Sequence, residues 1–316
     1  MRTPGDGNTR GAGFSISRRN LLRVALGAGV LALTRDAAEA ESMLQRRIPK
    51  SGEALPVIGL GTWQTFDVGA GARARAPLKR VLDEFARLGG RVIDSSPMYG
   101  TSESVTGDLA AEIRPPEPLF FATKVWTRGR DSGIGQMEES FRRLRVKRMD
   151  LMQVHNLVDT GSHLTTLREW KDKGRIRYIG VTHYTASAYA DLARVLESED
   201  LDFVQLNYSV AEREAERRLL PLAAEKRVAV LVNRPFAEGA LFKRVGGKPL
   251  PEWAKEAGCA TWAQLFLKFI VAHPAVTCTI PATSKIEHLV DNMQAGLGTL
   301  PDAALRERIA KHVAEL

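Results

Sequence analysis

Short apolar runs recur along the chain, and each is followed by a longer stretch whose apolar residues fall three and four positions apart. The runs cover residues 57–61, 91–94, 119–124, 149–155, 176–182, 202–207, 228–233 and 276–280. Most show no polar alternation, the pattern of parallel strands covered on both faces. The intervening stretches, 77–88, 103–111, 134–144, 164–173, 186–197, 212–226 and 261–272, carry the helical period. A further helix, 285–295, follows the last strand, and 302–313 predicts an extra one at the C-terminus. Ser102, Thr185 and Thr261 are placed to cap helix starts. Before the first run, extended pieces around Lys50-Ser51-Gly52-Glu53 predict a hairpin that caps one end of the domain.

This alternation predicts an α/β fold, a (β/α)8 TIM barrel with an N-terminal hairpin and an extra C-terminal helix. An open doubly wound sheet is the competing architecture. It would ask for a dinucleotide-binding turn, and Gly59-Leu60-Gly61 does not continue into G-x-G-x-x-G. The stretch 235–256 after the seventh strand holds Gly239, Gly246, Gly247, Pro249 and Pro251, and reads as an active-site loop rather than a domain boundary.

Composition narrows the class. With 44% apolar and 26% charged residues in 316, the chain has the make-up of a soluble globular protein. The net charge of +8 is inflated by the first 40 residues, which hold six Arg against three acids. The densest basic run, Arg142, Arg143, Arg145, Lys147 and Arg148, has no interleaved aromatics for base stacking, so it reads as a solvated helix face and no nucleic-acid partner is expected. Cys259 and Cys278 lie in apolar context as core residues, with one bridge between them as the alternative, and none of the six histidines has metal-site spacing with another.

Residues 1–40 are set aside from the fold. Ser17-Arg18-Arg19-Asn20-Leu21-Leu22-Arg23 resembles the twin-arginine export motif, 24–33 is apolar, and Ala38-Glu39-Ala40 is a small-x-small cleavage site. The apolar run is short of the ~20 residues that span a bilayer. The expectation is a signal peptide over 1–40 and a barrel over 41–316. The protein would be exported folded by the twin-arginine machinery to a bacterial periplasm, cleaved after Ala40 and left with no stable membrane anchor. An uncleaved anchor or a basic tail is the plainer alternative.

Candidate chemistry gathers at strand ends. Asp94, Lys124 and His155 close the second, third and fourth runs, and Tyr99 lies on the loop just past Asp94. Singly, Asp94 could cap a helix, Tyr99 could be core and Lys124 could reach solvent. Together they fall on the carboxyl rim of consecutive units, where barrels of this kind carry their active sites.

Asp94, Tyr99, Lys124 and His155, in that order, resemble the catalytic tetrad of the aldo-keto reductases, and the resemblance runs from about Ile58 to Asn292. It implies NAD(P)H-dependent reduction of aldehydes or ketones. Tyr99 would supply the proton, Lys124 would favour its phenolate, Asp94 would hold Lys124 charged, and His155 would orient the carbonyl. It also implies that Gly61, Thr62 and Trp63 line the nicotinamide pocket and that Gln205 binds the carboxamide. Thr182 and His183 stand where the family has Ser-Asn, and Asn233 and Arg234 stand where a stacking aromatic and a serine are usual. Arg234 could instead meet the pyrophosphate. Thr283, Ser284 and Lys285, followed by Asp291 and Asn292, resemble the adenosine-phosphate segment; with a lysine and a helix start facing the anion, NADPH is expected over NADH. Trp63, Trp126 and Phe236 are the expected walls of the substrate pocket. Two other readings fit parts of this set: a lyase forming a Schiff base on Lys124, and a non-catalytic nicotinamide-binding auxiliary protein, which the Asn233 departure keeps open.

Overall fold

The chain enters the fold through an antiparallel hairpin, β1 (Gln45–Arg47) and β2 (Ala54–Pro56), with Gln45 opposite Pro56. The structure is a computed structural model that describes residues 42–316. The predicted export signal and its cleavage site therefore lie outside the described residues. The hairpin turn needs Gly52 in the left-handed region, at φ +77°, while the Glu53 carbonyl accepts from the Ile48 amide at 2.8 Å.

Eight parallel strands follow: β3 (Leu60–Gly61), β4 (Val92–Asp94), β5 (Phe120–Val125), β6 (Met149–His155), β7 (Ile176–Thr182), β8 (Phe203–Asn207), β9 (Ala229–Asn233) and β10 (Val276–Thr279). They pair in sequence order. Bridges Ile58–Thr279 and Gly61–Ala282 bring the first strand back to the last, so the sheet closes and the open alternative is excluded. Two glycines permit that closure. A Cβ on Gly59 would sit 2.9 Å from the Val92 carbonyl oxygen, and one on Gly61 would sit 2.8 Å from that of Ile280.

The helices are α1 (Ala72–Arg87), α2 (Ser102–Ala110), α3 (Arg130–Leu144), α4 (Thr160–Asp172), α5 (Tyr189–Ser198), α6 (Leu219–Glu225), α7 (Ala240–Val245), α8 (Trp262–Val271), α9 (Ile286–Gln294) and α10 (Ala303–Glu315). α1 starts well before the expected residue 77 and runs through Pro77, because Ala72-Arg73-Ala74-Arg75-Ala76 are strong helix formers. The stretch 212–226 breaks into a 3-10 turn, Glu214–Arg217, and α6, with Pro221 in the first turn of α6, where its missing N–H is harmless. Of the expected caps, the Thr261 hydroxyl accepts from the Gln264 amide at 3.2 Å. Ser102 instead lies inside α2, whose Thr101 amide donates to the Asp67 carboxylate. The long loop after β9 is built from two 3-10 turns, Ala237–Gly239 and Glu252–Ala257, with α7 between them.

Alternate strand residues divide between two apolar layers. Phe120, Ala122, Leu151, Tyr178, Phe203 and Leu231 fill the barrel, where Ile48 and Leu55 of the hairpin join them. Val125, Met152, Val154, Val181 and Val204 face the helices. Burying Leu55 this way contributes ~1.5–3 kcal/mol. The hairpin is also pinned by polar contacts, since Tyr178 donates to Glu53 at 2.6 Å and Arg177 pairs with both Glu53 and Asp150. Cys278 is inside the barrel and Cys259 is in the outer layer, both as free thiols. Part of the basic run is ion-paired at the end of α3, with Arg142 and Arg143 on Glu139 and Arg145 on Asp108.

Candidate active site

The parity that fills the barrel with Phe120 and Ala122 also turns Lys124 inward, at the last inward position of β5. Its Nζ donates to Asp94 Oδ2 at 2.6 Å and to the Ser95 carbonyl at 2.7 Å. Both members of this ion pair are almost wholly buried. The other carboxylate oxygen, Oδ1, accepts from Gln205 Nε2 at 2.8 Å and Gln153 Nε2 at 3.3 Å. Asp94 is thus tied to three other strands, which gives the buried charges the additional hydrogen bonds they require.

Tyr99 lies against this pair, with Lys124 Nζ 5.0 Å from its ring centroid. His155 completes the group, edge-on to Tyr99 with ring centroids 6.0 Å apart and 6.4 Å from the Trp126 ring. The four expected residues therefore meet at one rim. Burial would strip Lys124 of its proton, but Asp94 and Tyr99 overcome that effect and its pKa lies above the ordinary lysine value. Burial pushes the Tyr99 phenol above its usual 10, and the nearby ammonium pulls it down without prevailing. The expected acidifying contribution of Lys124 is thus real but outweighed in the free protein. Burial, Lys124 and His183 drive His155 down to about 2, so its ring is neutral near pH 7.

Asp94, Tyr99 and His155 open onto a cavity of about 710 Å³, with Lys124 buried behind them. Of the residues singled out in the sequence, Gly61, Thr62, Trp63, Asp94, Tyr99, Trp126, His155, Thr182, Gln205, Asn233, Arg234 and Phe236 line it. His183, Thr283, Ser284, Lys285, Asp291 and Asn292 do not. The His183 Nδ1 accepts from the Tyr184 amide at 3.0 Å, and its carbonyl accepts from Asn233 Nδ2. Thr283 folds its hydroxyl over the Lys285 amide at 3.1 Å, directly before α9. Asp291 turns to α8, accepting from Gln264 Nε2 at 2.7 Å and from the Thr261 hydroxyl. Arg234 adopts φ +50° and donates to the Tyr184 carbonyl at 2.8 Å, linking the loops after β7 and β9, with Glu238 Oε1 3.2 Å from its Nε.

Sequence reasoning missed Met98, Asn156 and Tyr184 in the lining, as well as Ser96 and Gln153 behind it, whereas Glu238, Gly239 and Phe242 come from the stretch 235–256 that reads as an active-site loop. Gln153 had a signal: it shares the strand parity of His155. Phe236 and Phe242, 4.8 Å apart, give the cavity an aromatic wall close to Asn233.

The residues present suit a nicotinamide cofactor. Asn233 Oδ1 is buried without a hydrogen-bond partner, an acceptor suited to a carboxamide N–H, and Thr182 and Gln205 stand beside it. Lys124 does not suit a Schiff base. It is wholly buried, held protonated by Asp94 and absent from the cavity lining, whereas an amine nucleophile must be neutral and accessible.

Comparisons with known proteins agree with this geometry. Methylglyoxal reductase YeaE of Escherichia coli is 28% identical over 261 residues, covering 79% of this chain and 89% of the relative. An NADH-specific methylglyoxal reductase of the same organism is 27% identical over 231 residues, covering 63% and 69%. The crystal structure of an aldo/keto reductase from Klebsiella pneumoniae in complex with NADP and acetate superposes with a TM-score of 0.69 at 25% identity, covering 83% of this chain and 93% of that one. The sequence model of the Aldo/keto reductase family matches residues 57–312. The closed barrel, the rim that joins Asp94, Tyr99, Lys124 and His155, and this match over most of the chain place the protein in the aldo/keto reductase family, as an NAD(P)H-dependent oxidoreductase of carbonyl compounds.

Proposed function

We propose that Tyr99 is the proton donor of this carbonyl reduction, with Lys124, Asp94 and His155 in supporting roles at the same rim. The observation that carries this reading is the buried Lys124–Asp94 pair set against Tyr99 and His155 at the floor of one cavity. A bound nicotinamide supplies the hydride. Tyr99 keeps its proton at neutral pH because burial raises its pKa, so it can give that proton to the alkoxide as it forms. The phenolate left behind faces a charged Lys124, which Asp94 keeps protonated. His155, being neutral, offers an N–H to the carbonyl oxygen without putting a second cation next to Lys124. Tyr99→Phe should retain nicotinamide binding and lose ~10²-fold or more in kcat. Full activity in that variant would rule out the assignment.

The exposed Trp63, Met98, Trp126, Tyr184 and Phe242 at the cavity favour small carbonyl compounds with an apolar body. The methylglyoxal reductases among the relatives support a small aldehyde or ketone as the place to begin. NADPH is the preferred cofactor in this reading. Lys285 stands at the N-cap of α9 beside Thr283 and Ser284, where a 2′-phosphate gains both a cation and a helix start. Lys285→Ala should weaken NADPH binding ~10-fold or more, the scale of one charge-assisted contact, and leave NADH binding nearly unchanged. The motif at Arg18 and Arg19 supports export by the twin-arginine route to a bacterial periplasm. Replacing both by lysine should hold the protein in the cytoplasm.

A further inference from the structure

Ser96 is a buried hydroxyl that the reaction above does not use. It follows β4 by two residues, is wholly buried, and has its Oγ 3.1 Å from Nδ1 of His155. The Met98 amide points at the same Oγ from 3.4 Å, and the Ser96 carbonyl accepts from the Tyr99 amide at 3.0 Å. The Ser-Pro-Met-Tyr turn therefore links Ser96 to both the His155 ring and the Tyr99 backbone.

We infer that Ser96 is a positioning residue that fixes the tautomer of His155: its hydroxyl donates to Nδ1, leaving the ring proton on Nε2. The argument is one of donors and acceptors. Ser96 Oγ already has an N–H directed at it, so it is supplied as an acceptor. Its own proton has a single acceptor among the described residues, His155 Nδ1. The opposite tautomer would set a second N–H against Oγ and leave the serine proton buried without a partner, the arrangement that folded proteins avoid. A neutral imidazole has one donor and one acceptor nitrogen, so an acceptor role for Nδ1 makes Nε2 the donor. His155 lines the cavity, and its Nε2 has no hydrogen-bond partner among the described residues.

Burial, Lys124 and His183 keep the ring from charging, which would otherwise make both nitrogens donors and Ser96 irrelevant. The rings of Tyr99 and Trp126 that pack against His155 offer edges and faces but no second fixed partner for Nδ1. Ser96 is thus the group that distinguishes the two nitrogens. The inference rests on the reading of His155 as the donor to the carbonyl oxygen only for its consequence in catalysis; the tautomer itself is a property of the free protein.

The test is long-range 1H–15N correlation of the histidine side chains in 15N-labelled full-length protein near pH 7, with His155 assigned through His155→Gln. An Nε2–H pattern for His155, shifting toward a mixture in Ser96→Ala, is the expected result. An Nδ1–H pattern in the unmodified protein, or an unchanged pattern in Ser96→Ala, would overturn the inference. In steady-state reduction of an aldehyde, Ser96→Ala should lower kcat ~10-fold, part of what a positioned donor supplies, with the KM for NADPH unchanged. Ser96→Thr, which keeps the hydroxyl, should restore both the Nε2–H pattern and most of kcat. If the tautomer shifts with Ser96→Ala while kcat stays the same, the tautomer assignment stands and the role of His155 in catalysis falls.

Discussion

At the N-terminal mouth of the barrel, Phe120, Tyr178 and Phe203 meet at centroid distances of 5.5–6.1 Å, sealed beneath Ile48 and Leu55 of the hairpin. Four residues further along the same three strands stand Lys124, Thr182 and Asn207 at the C-terminal mouth. Four strand residues are ~13 Å at the usual rise, and they keep the same inward parity. Over that distance the interior changes from an apolar plug to a network of charges and amides around Asp94. One mouth holds its polar groups, such as the Tyr178 hydroxyl on Ser51 and Glu53, in service of the seal. The other holds them around an open cavity. The division puts stability at one end and chemistry at the other, so a substitution should affect one property far more than the other unless it disturbs a charge buried between them.

Lys124→Met is the change expected to break that division, and to have the largest effect. It removes the cation facing Tyr99 and leaves Asp94 buried beside two amides with no counter-charge. Activity should be lost, and chemical denaturation should show a loss of ~3–5 kcal/mol. A variant that is inactive yet as stable as the parent would mean the pair contributes only to chemistry. Leu55→Ala tests the opposite end. It should cost ~2–5 kcal/mol in unfolding free energy and leave kcat per folded molecule unchanged. A fall in kcat at full occupancy of the folded state would show that the plug also sets the rim geometry.

The smallest effect compares one histidine from each end. His273, whose carbonyl accepts from Arg46 of the hairpin, is driven down to about 4 by burial, with Arg306 next in size, and His155 to about 2. Both folded values lie below the ordinary 6.5, so the unfolded chain binds more protons between them. Their stabilising contribution is complete above about pH 6.5 and is lost as pH falls. The melting temperature should drop from pH 7 toward pH 4, and less steeply in His273→Asn. A pH profile identical to the parent's would assign the acid sensitivity to other groups.

Most of the architecture could be read from the order of residues, because a strand buried on both faces has no polar interruptions until it reaches a rim. Lys124 and His155 were visible because each ends an apolar run with a residue that such a run rarely tolerates. Ser96 was not, since a serine before proline fits any turn and its partner is 59 positions away. The cap of α2 and the break before α6 were misread because contacts distant in sequence decide them. Asp67 takes the Thr101 amide across 34 residues, and the irregular segment before α6 follows packing rather than period. The bond from Arg234 to the Tyr184 carbonyl of a neighbouring loop, 50 positions away, had no signal in the local pattern either.

The closing edge of the barrel has a bearing on motion. There the sheet is held by Gly59 N–H to Thr279 O, Thr279 N–H to Val57 O and Gly61 N–H to Pro281 O, around a first strand of two residues. Elsewhere, as between β6 and β7, the register runs over six residue pairs. A zipper with so few teeth opens first, so amide exchange should begin at Gly59, Gly61 and Thr279 before it reaches the middle of the sheet. Gly61 lies on one lip of that seam and the segment 282–285 on the other. A dinucleotide resting on both lips would act as a clasp, slowing exchange at the seam by lending the sheet the cross-links that its shortest strand is too brief to supply.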